Sequence, residues 1–391
     1  MAPVFDRLVG QDDVVAVLRA AAAGESMTHA WLFTGPPGSG RSVAALCLAA
    51  ALQCTTPDDL GCGHCTACRT TMAGTHADVR RIVPEGLTIG VDAMRAVVQM
   101  ASRRPGVGRW QVVIIEDADR LTENAAAALL KVVEEPPARS VFLLCAPTTD
   151  PEDVSVTLRS RCRHLALRTP RADAVAGVLR EQDGLDAETA QWAASVSGGH
   201  VGRARRLARD PDARARRADV LALPLAATRR ETAWPAADAL VAGAEAEAKL
   251  ASDARDERET DELRTALGAG GTGKGAMAAL RGSAGVLGEL EKAQKRRRTR
   301  TQRDSLDRAL VDLAGFYRDA VLHACRATVA PTHPDKTTDS HALAEAGGAE
   351  SMLRCLEAVL DCREAIDLNV KPRIAVDALV ATLGATTPPP R

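Results

Sequence analysis

The order of apolar and polar positions divides the chain into an alternating region and a helical one. Two runs have no polar face: Gln111-Val-Val-Ile-Ile115 and the Ser-Val-Phe-Leu-Leu-Cys stretch at 140–145. That is the pattern of central parallel strands covered on both sides. A shorter run at 30–33 leads into a glycine-rich loop. Between these runs, 14–23, 43–52 and 125–133 repeat at helical spacing. The last stops before Glu134-Glu-Pro-Pro137, where proline cannot continue a helix. Strands alternating with helices predict an α/β domain over 1–167.

The pattern then changes. Short helices are expected at 172–181, 187–197 and 203–209, with Gly198-Gly199 between the last two. They predict a small helical domain over 168–220. Beyond it no stretch reads as a strand. Segments rich in Ala, Leu and Arg predict an all-helical domain over 221–385, interrupted by a loop at 330–340 and followed by a frayed tail at 386–391.

Composition narrows the function classes. Of 391 residues, 46% are hydrophobic and 26% charged, which suits a chain with a buried core and excludes extended disorder. Four Trp, four Phe and one Tyr leave most of the packing to Ala, Leu and Val. With 50 basic and 51 acidic residues the net charge is −1, so bulk charge does not draw this chain to nucleic acid. The N-terminal stretch lacks the features of a secretory signal, and no apolar run approaches the ~20 residues of a membrane helix. A cytoplasmic protein without membrane contact is expected.

Candidate chemistry starts at the loop formed by Gly35, Pro36, Pro37, Gly38, Ser39, Gly40, Arg41 and Ser42. It follows an expected strand and opens an expected helix, the setting of a P-loop, in which backbone N–H groups and a helix N-terminus receive phosphates. Arg41 stands where the pattern asks for lysine. A guanidinium is a broad planar fork, whereas an ammonium is a compact point charge. The loop is therefore expected to take ATP or ADP weakly. The competing reading is a βα turn without ligand.

The run ending in Ile115 is followed by Glu116 and Asp117, a Walker B pattern with its two carboxylates in reversed order. The usual Asp holds Mg²⁺ and the usual Glu orients the attacking water. A displacement of ~1 Å at such a site can cost on the order of 10²-fold in rate. Mg²⁺ is expected only if nucleotide binds productively, and hydrolysis is expected to be weak or absent. A second glycine cluster, Gly268 to Gly275 with Lys274, follows an expected helix and lacks the Ser/Thr, so it reads as an interhelical loop.

Cys54, Cys62, Cys65 and Cys68 fall within fifteen positions, among turn-forming Pro57, Gly61 and Gly63. Two C-x-x-C steps with four thiolates can enclose a tetrahedral Zn²⁺, and a complete ligand set makes it structural. His64 is a rival ligand. The basic run at 292–303 lacks interleaved aromatics and falls in an expected helix. It reads as a solvated face or a contact for an acidic partner before it reads as a DNA site.

Several stretches together resemble the bacterial clamp-loader AAA+ subunits of DNA polymerase III. They are Phe5-Asp-Arg-Leu-Val-Gly-Gln11, His29-Ala-Trp-Leu-Phe-Thr-Gly35 and Leu121-Thr-Glu-Asn-Ala125. Ala128-Leu-Leu-Lys-Val-Val-Glu-Glu-Pro-Pro137, Arg159-Ser-Arg-Cys162 and the cysteine insertion complete the set. The likeness is dense over 1–210 and thin afterwards, apart from Ala365-Ile-Asp-Leu-Asn-Val370. It is strongest to the delta-prime type of subunit.

The resemblance implies an AAA+ domain with a RecA-like parallel sheet and a zinc-knuckle insertion, a helical lid, and an all-α collar domain that joins subunits. It implies that Arg161, in the family's Ser-Arg-Cys motif, is an arginine finger for a neighbour's ATP. It places a sensor residue at Thr148 or Thr149. In the gamma/tau subunits a Gly-Ser-Leu-Arg step contacts ATP, whereas this chain has Gly199-His-Val-Gly202. The implied partners are the delta and gamma/tau subunits, with the sliding clamp and primed DNA reached through the complex. The implied role is that of a largely non-hydrolysing component of the polymerase holoenzyme. Two other readings are an active ATPase subunit of gamma/tau type and a zinc-dependent nucleic-acid binder.

Overall fold

Strands β1 (Ala30–Thr34), β2 (Val79–Ile82), β3 (Gln111–Ile115), β4 (Ser140–Ala146) and β5 (Arg163–Ala166) form one parallel sheet in the order β2-β3-β4-β1-β5. The computed structural model describes residues 3–267 and 284–388. The sheet lies in the first of two compact units, Met1–Ala208 and Arg209–Arg391. β1, β3 and β4 are buried along their whole length, as their unbroken apolar runs predict.

Alternate strand residues feed two cores. Trp31, Phe33, Val112, Ile114, Leu143 and Cys145 pack with α1 (Asp12–Ala22) and α2 (Arg41–Gln53) on one face. Leu32, Val113, Ile115, Phe142 and Leu144 pack with α4 (Val91–Ala101) and α5 (Glu123–Glu134) on the other. The short α3 (Thr66–Met72) closes the cysteine segment, and α6 (Val156–Arg159) precedes β5. The small helices are α7 (Ala172–Glu181), α8 (Ala187–Ser195) and α9 (Val201–Arg209). They share a separate apolar cluster around Val175, Leu179 and Ala190.

The second unit contains α10 (Pro211–Ala227), α11 (Arg230–Ala266), α12 (Ala284–Ala324), α13 (Thr337–Asp367) and α14 (Pro372–Thr386), and no strand among its described residues. Leu310, Leu313, Phe316, Tyr317, Val359 and Leu379 lie at its centre. α13 breaks at Gly348, whose φ is +74°. The loop expected at 330–340 is shorter than predicted, because a 3-10 turn at Pro334–Lys336 runs directly into α13. Pro334 has no amide proton to lose at a helical turn's start, so here it opens structure instead of breaking it. Thr386 closes α14, and Thr387 is buried with its hydroxyl 3.2 Å from the Cys355 thiol. The cluster from Gly268 to Gly275 lies outside the described residues. Among those described, no helix is long and apolar enough to cross a membrane.

A buried polar network ties the loop before α13 to the bundle. Arg217 grips Asp335 with two hydrogen bonds, 2.6 and 3.0 Å, and lies 2.9 Å from His333 Nδ1. An arginine only donates, so Nδ1 accepts, and the imidazole proton sits on Nε2, which donates to the Asp312 carbonyl at 2.9 Å. Burial pushes the His333 pKa down, which keeps this neutral tautomer. The Asp319 carboxylate accepts the Thr332 and His333 amides, both at 2.9 Å. Arg217→Ala leaves the buried His333 ring nitrogen unpartnered and releases the more exposed Asp335 carboxylate to water. It is expected to cost about 2 kcal/mol, seen as a lower urea midpoint at unchanged slope.

The basic run at 292–303 lies on α12 and meets an acidic face of α11. Arg297 contacts Asp256 at 2.5 Å and Glu259 at 2.6 Å, and Arg298 contacts Asp253 at 3.1 Å and Asp256 at 3.3 Å. The acidic partner for these two arginines is within the chain itself.

Candidate functional site

The glycine loop leaves β1 at Thr34 and enters α2 through Gly40, whose φ of +96° lies in the left-handed region. Three ties hold it. The Gly35 amide donates to the Pro147 carbonyl at 3.1 Å, which sets the loop beside the end of β4. The Gln11 side chain donates to the Ser39 and Arg168 carbonyls at 3.2 and 2.5 Å and accepts from the Arg168 amide at 3.3 Å. The turn before α9 presses on the loop from a third side: a Cβ on Gly38 would lie 2.6 Å from that of His200, so only glycine fits.

Within this frame Ser39 Oγ, Arg41 Nη1 and Asp119 Oδ1 are buried without hydrogen-bond partners. Such orphans are rare and call for a ligand or water. The first-turn amides of α2 add donors with no partner inside the helix. An oxyanion of phosphate type fits this cradle. Burial pushes the Asp119 carboxyl up, and the charge of Asp117 adds to the effect.

A divalent cation does not fit the acidic side of the site as it stands. Glu116 follows β3, its amide donating to the Ile82 carbonyl at 2.9 Å. Its carboxylate is ion-paired with the Arg81 guanidinium from β2. That hydrogen bond also raises the Arg81 pKa. Asp117 has a φ of +51° and begins the 3-10 turn Ala118–Arg120. Burial pushes the pKa of the Cys145 thiol up, with the nearby Ser42 hydroxyl a minor opposing influence.

The four cysteines converge. Cys54 Sγ lies 3.7 Å from that of Cys62 and 3.9 Å from that of Cys65, and all four sulfurs lie within 4.8 Å of one another. Ligands 2.3 Å from a tetrahedral ion stand about 3.8 Å apart, so the set can hold a metal ion. The Cys65 and Cys68 amides point at the Cys62 and Cys65 sulfurs, each at 3.4 Å. Burial opposes ionisation of Cys65, but hydrogen bonds from Thr55 and Cys68 outweigh it and bring the thiol down to about 6. His64 turns Nδ1 to the Cys62 carbonyl at 3.1 Å, and the cluster closes without it. The N-terminal segment is fastened to this module by the Val4 amide, 2.8 Å from the Gly61 carbonyl.

Arg161 stands on the turn after α6, its side chain 36% exposed. Nη1 donates to the Thr157 carbonyl at 2.9 Å and to Ser160 Oγ at 3.3 Å, and Nη2 meets Glu134 at the end of α5 at 2.5 Å. The Thr148 hydroxyl is spent on Asp153 at 2.5 Å and on the Asp150 amide at 2.9 Å. The Thr149 carbonyl accepts from Arg159 at 2.9 Å.

Residues 10–171 match the protein family described as DNA polymerase III, delta subunit. DNA polymerase III subunit delta' of Escherichia coli (strain K12) is 41% identical over 157 residues, 39% of this chain. The gamma/tau subunit of Mycobacterium tuberculosis (strain ATCC 25618 / H37Rv) is 33% identical over 200 residues, 50% of this chain. Over these residues the chain is similar to clamp-loader subunits of DNA polymerase III. It spans 46% of the first relative's length and 34% of the second's. A solved gamma subunit-related protein from Thermotoga maritima aligns over 95% of this chain, with 16% identity and a TM-score of 0.42.

Three residues beside these features were not singled out in the sequence. Arg81 is brought to Glu116 by the register of β2 on β3, Glu134 to Arg161 by the packing of α5 on α6, and His200 to Gly38 by the turn before α9. His200 alone carried a local signal, its place directly after Gly198-Gly199.

Proposed function

We propose that this chain is the delta-prime type of clamp-loader subunit, a largely non-hydrolysing AAA+ member that serves a neighbour's ATP. One observation carries the reading. Arg161 is offered at the surface, while the chain's own Walker B carboxylate, Glu116, is held by Arg81. Arginine suits the finger role because its permanent charge and planar fork can neutralise charge developing on a γ-phosphate. The adjoining ATPase subunit is of gamma/tau type, the delta subunit is the other partner, and the complex loads the sliding clamp onto primed DNA.

Two further features support this reading over a gamma/tau-type motor. Arg41 replaces the P-loop lysine, and Gly202 stands where the motor subunits carry their ATP-contacting arginine. The orphaned Ser39 Oγ and Arg41 Nη1 suit weak binding of ATP or ADP. Of the two sensor candidates, Thr148 has its hydroxyl committed to its own turn, which favours Thr149. Zn²⁺ is the ion for four thiolates at these spacings, and it cross-links the insertion without an open coordination position. The purified chain alone is expected to show no ATP turnover above background, while an assembly that lacks it loses clamp loading. Brisk turnover by the chain alone would establish the motor reading instead.

A further inference from the structure

In P-loop NTPases the protein offers Mg²⁺ two oxygens, the hydroxyl of the loop Ser/Thr and the Walker B carboxylate. Ser42 and Glu116 occupy those positions here, and the Glu116 carboxylate is engaged elsewhere, with Arg81. That engagement is built into the sheet. Arg81 pairs in register with Ile114 and Ile82 with Ile115, so Arg81 and Glu116 emerge on the face where Ile114 packs with α2. That is the P-loop face. The Glu116 side chain is 13% exposed and that of Arg81 47%, so a sheltered carboxylate is covered by a cation reaching in from the rim.

A guanidinium in this place differs from a bound ion. It is permanently charged, covalently present, and cannot dissociate when nucleotide leaves. Arg41 adds a second permanent cation at the loop itself, its Nη1 buried and unpartnered. Between them, two arginines supply positive charge where the family's ATPases use a lysine and a metal.

We propose that Arg81 stands in for Mg²⁺ at this site, so that the P-loop takes a nucleoside di- or triphosphate without a divalent cation. The inference deepens the proposed function and rests on the part of it in which the P-loop holds nucleotide.

The test is a titration of the full purified chain with a fluorescent ADP or ATP analogue, in Mg²⁺ and in EDTA. The wild-type affinity is expected to differ by less than about twofold between the two conditions, whereas Arg81→Ala frees Glu116 and becomes about tenfold tighter in Mg²⁺. Arg81→Lys keeps a cation on Glu116 and is expected to stay indifferent to Mg²⁺. The double variant Arg81→Ala/Glu116→Gln should lose the gain. Arg81 lies at the exposed sheet edge, and circular dichroism verifies that each variant folds. A wild-type affinity that rises about tenfold with Mg²⁺, or an Arg81→Ala protein indifferent to it, overturns the proposal. Absence of nucleotide binding in both conditions overturns it together with the nucleotide reading of the P-loop. The finger reading is tested separately through Arg161.

Discussion

With Arg161 as the proposed finger, its replacement by alanine is expected to slow ATP turnover at the interface with the neighbouring subunit by about 10³-fold, the lower end of what arginine fingers supply. The loss should fall on kcat and leave the neighbour's KM for ATP little changed, because the charge that the finger meets develops in the transition state. The measurement is the DNA- and clamp-stimulated ATPase of the reconstituted assembly. The motor subunits' own fingers are removed so that only this interface reports. Lysine should not rescue the variant, since it lacks the fork. An assembly that keeps its full stimulated rate with Arg161→Ala contradicts the finger role.

The ion pair to Glu134 does not argue against that role. With side-chain exposures of 36% and 45%, such a pair contributes no more than about 1 kcal/mol. In the proposed role it aligns the guanidinium in the free subunit and is weak enough to be exchanged for a triphosphate. The melting temperature of Arg161→Ala should accordingly match that of the wild type, which separates a lost finger from a lost fold.

Removal of the metal is expected to have the second large effect. Purified chain should contain one Zn²⁺, and Cys62→Ser or a strong chelator should cost several kcal/mol, since metal binding at structural sites is folding free energy on the order of 10 kcal/mol. The damage should not stop at the cysteine segment. Cys54, Cys62 and Cys68 are part of the apolar cluster that holds Val4, Phe5 and much of α2. The Cys47 thiol donates to the Val4 carbonyl at 3.0 Å, and a Cβ on Gly61 would lie 2.8 Å from Val4. A metal-free chain should therefore expose its first residues to protease and lower the thermal midpoint. A chain that is metal-free as purified, with an unchanged midpoint in chelator, removes zinc from the account.

The features legible in the sequence were the local ones. β1, β3 and β4 announced themselves because strands covered on both faces need unbroken apolar runs. β2 and β5 did not, since they are the sheet edges: Val-Arg-Arg-Ile and Arg-His-Leu-Ala hold few apolar positions, and β5 alternates between half-buried and exposed residues. The glycine loop and the cysteine cluster were readable for the same reason, each being a short pattern whose spacing is its chemistry.

Pairings made by tertiary register left no such trace. Arg81 and Glu116 are 35 positions apart and Arg217 and Asp335 are 118 apart. Nothing in either segment names its partner. The same holds for the arginines of 292–303, whose acidic partners on α11 lie about forty positions upstream. Their charge was visible, but its neutralisation was not.

That neutralisation bears on any polyanion meeting the α11–α12 hairpin. Arg297 and Arg298 arrive with counter-charges already at contact distance, so a phosphate backbone must evict Asp256 and Glu259 before it gains either contact. Displacement of condensed counterions, the entropic drive of most protein–DNA association, is largely unavailable to these two side chains. Their work is to clamp two long helices side by side.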